Sequence, residues 1–98
     1  MRDIEKQMLA AISNCKNFAS GNTAVKVLSS HPASSKTIEV LLHGHSIAII
    51  SGQDNFLTVN KNTLQLWPTP TTKSRLRALG VNVTTKRGVT YLDNQPVN

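Results

Sequence analysis

Apolar residues near the start of the chain recur every three or four positions, which is the spacing of one face of an α-helix. This spacing predicts an amphipathic helix over about residues 2–17. The residues of its apolar stripe are Ile4, Met8, Leu9, Ile12 and Cys15. We expect Phe18 to anchor the end of the helix and Gly21 to stop it, because glycine readily adopts a left-handed conformation.

After Gly21 the apolar period shortens to about two, which is the alternation of a β-strand. The pattern predicts five short strands, at residues 23–28, 37–42, 46–50, 56–59 and 63–67. His43 and Gly44 separate the two most apolar strands, and we expect them to form a two-residue hairpin turn. Polar turn residues separate the other strands, so the pattern favours a meander of antiparallel strands.

Two prolines in the segment 68–70 interrupt the strand pattern and predict a break before a short basic helix over residues 73–79. Thr71 or Thr72 is the expected N-cap of this helix, and Gly80 is expected to end it. The residues expected to face inward are Leu76, Ala78 and Leu79, and those expected in solvent are Lys73, Arg75 and Arg77.

The last predicted element is a hairpin of strands 81–85 and 89–92, joined by a turn at Lys86-Arg87-Gly88. Residues 93–98 are expected to be a polar tail that frays. Together the elements predict one α+β domain over residues 1–98, with helices on one face of an antiparallel sheet in a two-layer arrangement. The corner at Trp67-Pro68 is expected in the core, or alternatively at an interface. So small a core also makes a homo-oligomer plausible.

The composition narrows the class of protein. Serine, threonine and asparagine supply 28 of the 98 residues, whereas charged residues make up 16%. This excludes a coiled coil, and no apolar run approaches the roughly 18 residues of a membrane span. The first six residues do not begin a signal peptide, and the single Cys15 cannot form a disulfide within the chain. We therefore expect the protein to act in the cytoplasm without a membrane partner.

The whole chain has a formal net charge of +6, and most of this positive charge lies in residues 61–98. Residues 1–60 hold five basic and four acidic residues, whereas residues 61–98 hold six basic residues and one acidic residue. Because hydroxyl groups and a helix N-terminus also attract anions, this second region predicts an anion-binding surface. The candidate binding residues are Lys61, Thr71, Thr72, Lys73, Arg75, Arg77, Lys86 and Arg87.

Several partners fit such a surface. The leading hypothesis is a nucleic acid or another phosphate backbone, bound mainly by electrostatic attraction. Only four aromatic residues are present, which is too few for the base-stacking platform of a typical RNA-binding sheet. The alternatives are an inhibitor or adaptor that binds an acidic surface on a host protein, and a self-assembling structural component. A further alternative is that these charges only keep a helix face and a hairpin tip soluble.

Residues that could carry catalysis are sparse. His43 and His45 flank the hairpin glycine, which is expected to splay the two imidazoles, so no metal site or cofactor is predicted. The five carboxylates form no recognisable acid–base pair, and Ser46 and Ser51 lack the context of a nucleophile elbow. We therefore predict that the protein is not an enzyme.

Five segments of the chain, at residues 3–8, 20–25, 42–48, 67–76 and 89–92, resemble a family of small, largely uncharacterised proteins encoded by tailed bacteriophages. The most specific parts are the turn Leu42-His43-Gly44 and the segment 67–76, which reads Trp-x-Thr-Pro-Thr-Thr-Lys-x-Arg-Leu. The resemblance implies a protein that acts in the host cytoplasm on nucleic acid or on host machinery. It supplies no catalytic residues.

Overall fold

The first helix, α1, spans Asp3–Ser13 and is therefore shorter than the predicted one. The computed structural model describes residues 2–97 of the chain. Cys15 adopts a left-handed φ of 51°, and the backbone N–H of Lys16 donates to the carbonyl of Ala11 at 2.9 Å. This bond satisfies a carbonyl that the last helical turn leaves without a partner, so α1 ends here and not at Gly21.

Five strands form one antiparallel sheet in chain order, as expected of a meander. They are β1 (Phe18–Ser20), β2 (Thr23–Ser29), β3 (Thr37–Leu42), β4 (His45–Ser51) and β5 (Phe56–Val59). The predicted strands at 23–28, 37–42, 46–50 and 56–59 are confirmed within one residue at each end. The sequence pattern does not predict strand β1. Phe18 pairs with Val25 in the sheet and does not anchor the end of α1, and Gly21 lies in the β1–β2 turn and does not end the helix.

The turn between β3 and β4 is the predicted two-residue hairpin turn. His43 and Gly44 have φ values of 53° and 79°, and Leu42 pairs with His45 directly across the turn. Farther along β4 the register shifts by one residue, so that Ile47 stands opposite no residue of β3. Such a bulge rotates the strand, and the consecutive residues Ile47 and Ala48 are both buried as a result.

The segment predicted as a strand over residues 63–67 belongs instead to a helix, α2 (Lys61–Leu66). The side-chain oxygen of Asn60 accepts a hydrogen bond from the backbone N–H of Thr63 at 3.1 Å, which is the geometry of an N-cap. Leu64 is buried, whereas Leu66 is 68% exposed on the other side of the helix. Trp67 follows at 43% exposure, so the expectation that this corner lies in the core is wrong.

The basic helix, α3, spans Pro70–Ala78. Its N-cap is Thr69 and not the predicted Thr71 or Thr72, because Thr69 Oγ1 accepts a hydrogen bond from the backbone N–H of Thr72 at 3.2 Å. Pro70 occupies the first helical position, where its missing N–H leaves no helical bond unmade. The helix ends before Gly80, as predicted, and Gly80 adopts a φ of 94° that favours glycine.

The C-terminal part of the described chain forms a second antiparallel sheet. Its three strands are β6 (Val83–Lys86), β7 (Val89–Leu92) and β8 (Gln95–Pro96). The predicted turn is confirmed at Arg87 and Gly88, which have φ values of 52° and 79°, whereas Lys86 pairs with Val89 as the last residue of β6 and the strand begins at Val83 instead of residue 81. Strand β8 corrects the prediction of a polar tail over residues 93–98. Asp93 and Asn94 form a left-handed turn that brings the chain back along β7, while Asn98 lies outside the described residues.

The helices cover one face of the five-stranded sheet, so the fold is the predicted two-layer α+β arrangement. The buried apolar side chains between the layers are Met8, Ala11, Val25, Ile38, Val40, Leu42, Ile47, Ala48, Ile50, Leu64, Leu76 and Val83. Alternate strand positions turn to the opposite face, where Ile49 and Phe56 are 36% and 69% exposed. The inward residues predicted for the basic helix are confirmed, since Leu76 is buried in this core and Ala78 and Leu79 are partly buried against it.

Candidate functional site

Helix α3 lies along strand β6, and two basic side chains join them. Arg77 Nε donates to the backbone carbonyl of Val83 at 2.9 Å, and Lys73 Nζ donates to Thr85 Oγ1. Because Lys73 precedes Arg77 while Thr85 follows Val83, the helix and the strand run in opposite directions. The first turns of α3 therefore lie towards the tip of the β6–β7 hairpin.

The hairpin tip, towards which the first turns of α3 lie, carries two further cations. Lys86 is the last residue of β6, next to Thr85, and Arg87 begins the turn; both side chains are exposed. We call the set Lys73, Arg77, Lys86 and Arg87 the basic edge. Within residues 2–97 the one ion pair closer than 4.0 Å is Glu5–Arg75, so the four cations of the basic edge meet no carboxylate at that distance. Unopposed charges of one sign raise the local concentration of anions.

Lys61 does not join the basic edge. It is the first residue of α2 and is exposed. It borders a groove with Gly80, Val81 and Asp93, which places it at the base of the C-terminal sheet and not at the hairpin tip. The carboxylate of Asp93 also borders this groove, so the anion attraction of Lys61 is weakened there.

Arg75 is the clearest departure from the predicted site, because it is buried and not in solvent. Its Nη1 donates to Glu5 Oε2 at 2.8 Å, and its Nε donates to Thr23 Oγ1 at 2.9 Å. A third bond, at 3.5 Å, reaches the side-chain oxygen of Asn22. The helical period explains the burial, since Arg75 follows the buried Thr72 by three positions and so lies on the same inward face of α3. Arg75 therefore holds the fold together and is not placed to meet a ligand.

Glu5 is the buried partner of Arg75, and it is not among the residues predicted for the site. Burial opposes the ionised form of its carboxyl, but hydrogen bonds from the Ser74 hydroxyl, from the Arg2 backbone N–H and from Arg75 outweigh it. The net result is a pKa below the ordinary value near 4.5. A signal was present, because Glu5 precedes Met8 by three positions and so falls on the inward stripe of α1.

We expect the protein to lose stability as the pH falls below about 4.5, because the folded state holds Glu5 ionised more strongly than the unfolded chain does. This stabilisation is complete above the pKa of the unfolded chain and disappears as the pH falls through the lower pKa of the folded state. Urea unfolding at a series of pH values measures it. The Glu5→Gln variant should be less stable at neutral pH and should show a flatter profile; parallel profiles for the two proteins would contradict the assignment.

A cavity of about 280 Å³ lies where the β3–β4 turn approaches the connection between α2 and α3. The buried side chains of Leu42 and Ile47 are its apolar lining. The rings of His45 and Trp67 also line it and stack on each other, with centroids 4.2 Å apart and planes inclined by 24°. The two most specific segments of the sequence, at the hairpin turn and at 67–76, therefore meet at one cavity.

Threonine residues at the start of α3 line the same cavity. Thr71 is half-buried there. Thr72 is buried, and its hydroxyl lies 3.0 Å from the Thr69 hydroxyl, so its first role is in the helix cap. None of the residues that line the cavity within the described range 2–97 is acidic. The predicted site residues thus divide into the basic edge, the cavity residues Thr71 and Thr72, and the separate positions of Lys61 and Arg75.

Comparison with models of known protein families identifies the family of this chain. The model of the family described as "Kyanoviridae Gp96 protein" matches residues 1–98. The chain belongs to this family. Membership agrees with the resemblance to phage-encoded proteins that the sequence suggested. No curated protein and no solved structure matches the chain.

The described part of this Gp96-family chain lacks both a cluster of metal ligands and a helix that could span a membrane. Among residues 2–97 there is no group of three or more histidine, cysteine, aspartate or glutamate side chains that could hold a metal ion. In the same described part of the chain, none of the helices combines the length and the apolar character that crossing a bilayer requires.

Proposed function

We propose that this phage protein is a non-enzymatic module that binds nucleic acid by contacting its phosphate backbone through the basic edge. The observation that carries the proposal is the packing of α3 along β6, which lines up Lys73 and Arg77 along the strand that leads to Lys86 and Arg87 at the hairpin tip. These four cations have no carboxylate partner within 4.0 Å in the described residues. A polyanion supplies the missing counter-charges.

The contacts at the basic edge favour phosphate groups over the edges of bases. Arg77 uses one of the five guanidinium N–H donors on the carbonyl of Val83, which fixes the group and leaves the other donors for an oxyanion. Lys73, Lys86 and Arg87 contribute charge on long side chains. Such groups position a protein on a backbone without reading its sequence. We therefore expect binding that depends weakly on sequence and steeply on salt.

Neutralising the basic edge should abolish most of this binding. The variant Lys73→Gln, Arg77→Gln, Lys86→Gln and Arg87→Gln removes four charges, and each lost phosphate contact should reduce the slope of log K against log salt by about 0.9 on duplex DNA. If all four residues contact phosphates, the slope falls by about 3.6. Fluorescence anisotropy of labelled duplex and single-stranded oligonucleotides, titrated from about 50 to 200 mM salt, measures both affinity and slope.

A matched control separates a local effect from a change in net charge. The variant Lys6→Gln, Lys16→Gln, Lys26→Gln and Lys36→Gln also removes four charges from the natural +6, but from α1, from β2 and from the loops that follow these elements. It should bind with nearly the natural affinity and slope. Equal weakening in both variants would contradict a defined site.

The failure of the natural protein to bind any oligonucleotide at low salt would also contradict the proposal. The acidic surface of a host protein would then be the remaining partner for the basic edge. Self-association would use a different surface, the sheet face that exposes Ile49 and Phe56, and light scattering detects it without nucleic acid.

A further inference from the structure

We infer that the cavity beside Trp67 and His45 takes one unpaired base of a single-stranded nucleic acid whose backbone lies on the basic edge. This inference rests on the proposed function and names its substrate class. Thr71 and Thr72 line the cavity, and Lys73 follows them in the same turn of α3. The cavity and the first cation of the basic edge therefore adjoin the same first turns of α3, so that a strand of a few nucleotides passing over the start of this helix contacts both.

The size of the cavity selects a small group. Its volume of about 280 Å³ is below the range of about 300–1,000 Å³ that is usual for sites of drug-sized molecules. One planar ring system fits this space, whereas an α-helix or a large side-chain cluster of a protein partner does not. The apolar lining formed by Leu42 and Ile47 is buried, so the ring would leave water when it binds.

The chemistry of the lining selects a neutral ring with polar edges. The ring of His45 stacks on Trp67, yet Trp67 remains 43% exposed. Part of the indole surface is therefore available to a third ring. Hydroxyl groups of Thr69 and Thr71 and the imidazole of His45 supply donors and acceptors around it. Because no acidic residue lines the cavity, a ring that carries a phosphate is not repelled.

A base can enter such a cavity only when it is not paired. In a duplex the bases are stacked and hydrogen-bonded inside the helix, and removing one requires unstacking and unpairing. Single strands offer bases that are free to stack on an aromatic side chain, and such stacking tolerates any base. The cavity therefore predicts a preference for single strands over duplexes that the basic edge alone does not give.

The single tryptophan of the chain makes the test direct, because all indole fluorescence comes from Trp67. The natural protein is titrated with oligothymidine, with oligouridine and with a DNA duplex, while anisotropy of the labelled oligonucleotide reports binding independently. We expect a saturable change in Trp67 fluorescence with a single strand and little change with the duplex. The Trp67→Ala variant should bind the single strand about tenfold or more weakly, and duplex binding should be unchanged.

Leu66→Ala is the matched control, since Leu66 is the exposed neighbour of Trp67 and does not line the cavity. It should bind single strands with the natural affinity, and circular dichroism should show both variants folded. Single strands that bind without a fluorescence change, and equally well to Trp67→Ala, would overturn the base cavity and leave the basic edge intact. Absence of binding to every oligonucleotide by anisotropy would overturn the proposed function and this inference together.

Discussion

Replacing Arg75 by methionine is expected to lower the free energy of unfolding by about 3–5 kcal/mol, because it leaves the Glu5 carboxylate buried without its cationic partner. Both side chains of the pair are only 3% exposed. The Thr23 hydroxyl also loses the donor at Arg75 Nε. A domain of this size has a total stability of about 5–15 kcal/mol, so the loss is a large share of it. Urea unfolding followed by circular dichroism measures the change.

The same helix offers a matched control for this prediction. Arg77→Met removes an arginine that is exposed and that makes one partly buried hydrogen bond, to Val83, so it should cost about 1 kcal/mol. The double variant Glu5→Met with Arg75→Met should be more stable than Arg75→Met alone, because no unpaired charge remains buried. Equal losses for Arg75→Met and Arg77→Met would show that the ion pair contributes no more than a surface contact.

The ion pair also determines which basic side chains of α3 are left for contact with another molecule. Glu5 on α1 and Arg75 on α3 are 70 positions apart in the chain, and Thr23 on β2 joins the same network. The network fixes α3 on the sheet, and Lys73 and Arg77 are thereby held against β6. One arginine of the basic helix is thus used for structure, and the charge offered to a ligand is that of the basic edge.

The sheet could be predicted closely from the sequence because its signals are local. Alternation of apolar residues sets the strand faces, and His43-Gly44 and Arg87-Gly88 supply the left-handed residues that two-residue turns need. Strand β1 escaped prediction because it has three residues, which is too short for alternation to show. Its pairing depends on the turn at Gly21, which was assigned to the end of α1.

The candidate site could be predicted only in part because burial of a charged residue depends on a distant partner. Charge alone placed Arg75 with Lys73 and Arg77 in solvent. The helical period contained the opposite signal, since Arg75 precedes Leu79 by four positions and Glu5 precedes Met8 by three, and both Leu79 and Met8 pack in the core. Two opposite charges, each on an inward face, indicate a buried pair. The sequence gives no comparable signal for the stacking of His45 on Trp67, because this contact depends on where Trp67 lies at the C-terminal end of α2.

The sequence pattern predicts a strand where the structure has helix α2, and the cause of this difference can be tested by mutation. Leu64 and Leu66 alternate with polar residues, which is the pattern of a strand with both leucines on one face. Asn60 decides otherwise, because its side chain caps the first turn of a helix through the N–H of Thr63. In a helix, residues two apart point to nearly opposite sides, and the two leucines should therefore differ in their contribution to stability.

Leu64→Ala is expected to lower the free energy of unfolding by about 2–5 kcal/mol, whereas Leu66→Ala should change it by about 0.5 kcal/mol or less. Leu64 is 1% exposed and its truncation leaves a cavity in the core, while Leu66 is 68% exposed and its truncation leaves none. The two substitutions are chemically identical and lie two residues apart on one element, so propensity effects nearly cancel between them. Urea unfolding of both variants measures the difference. Similar losses for the two variants would place both leucines on one buried face, as a strand requires, and would contradict helix α2.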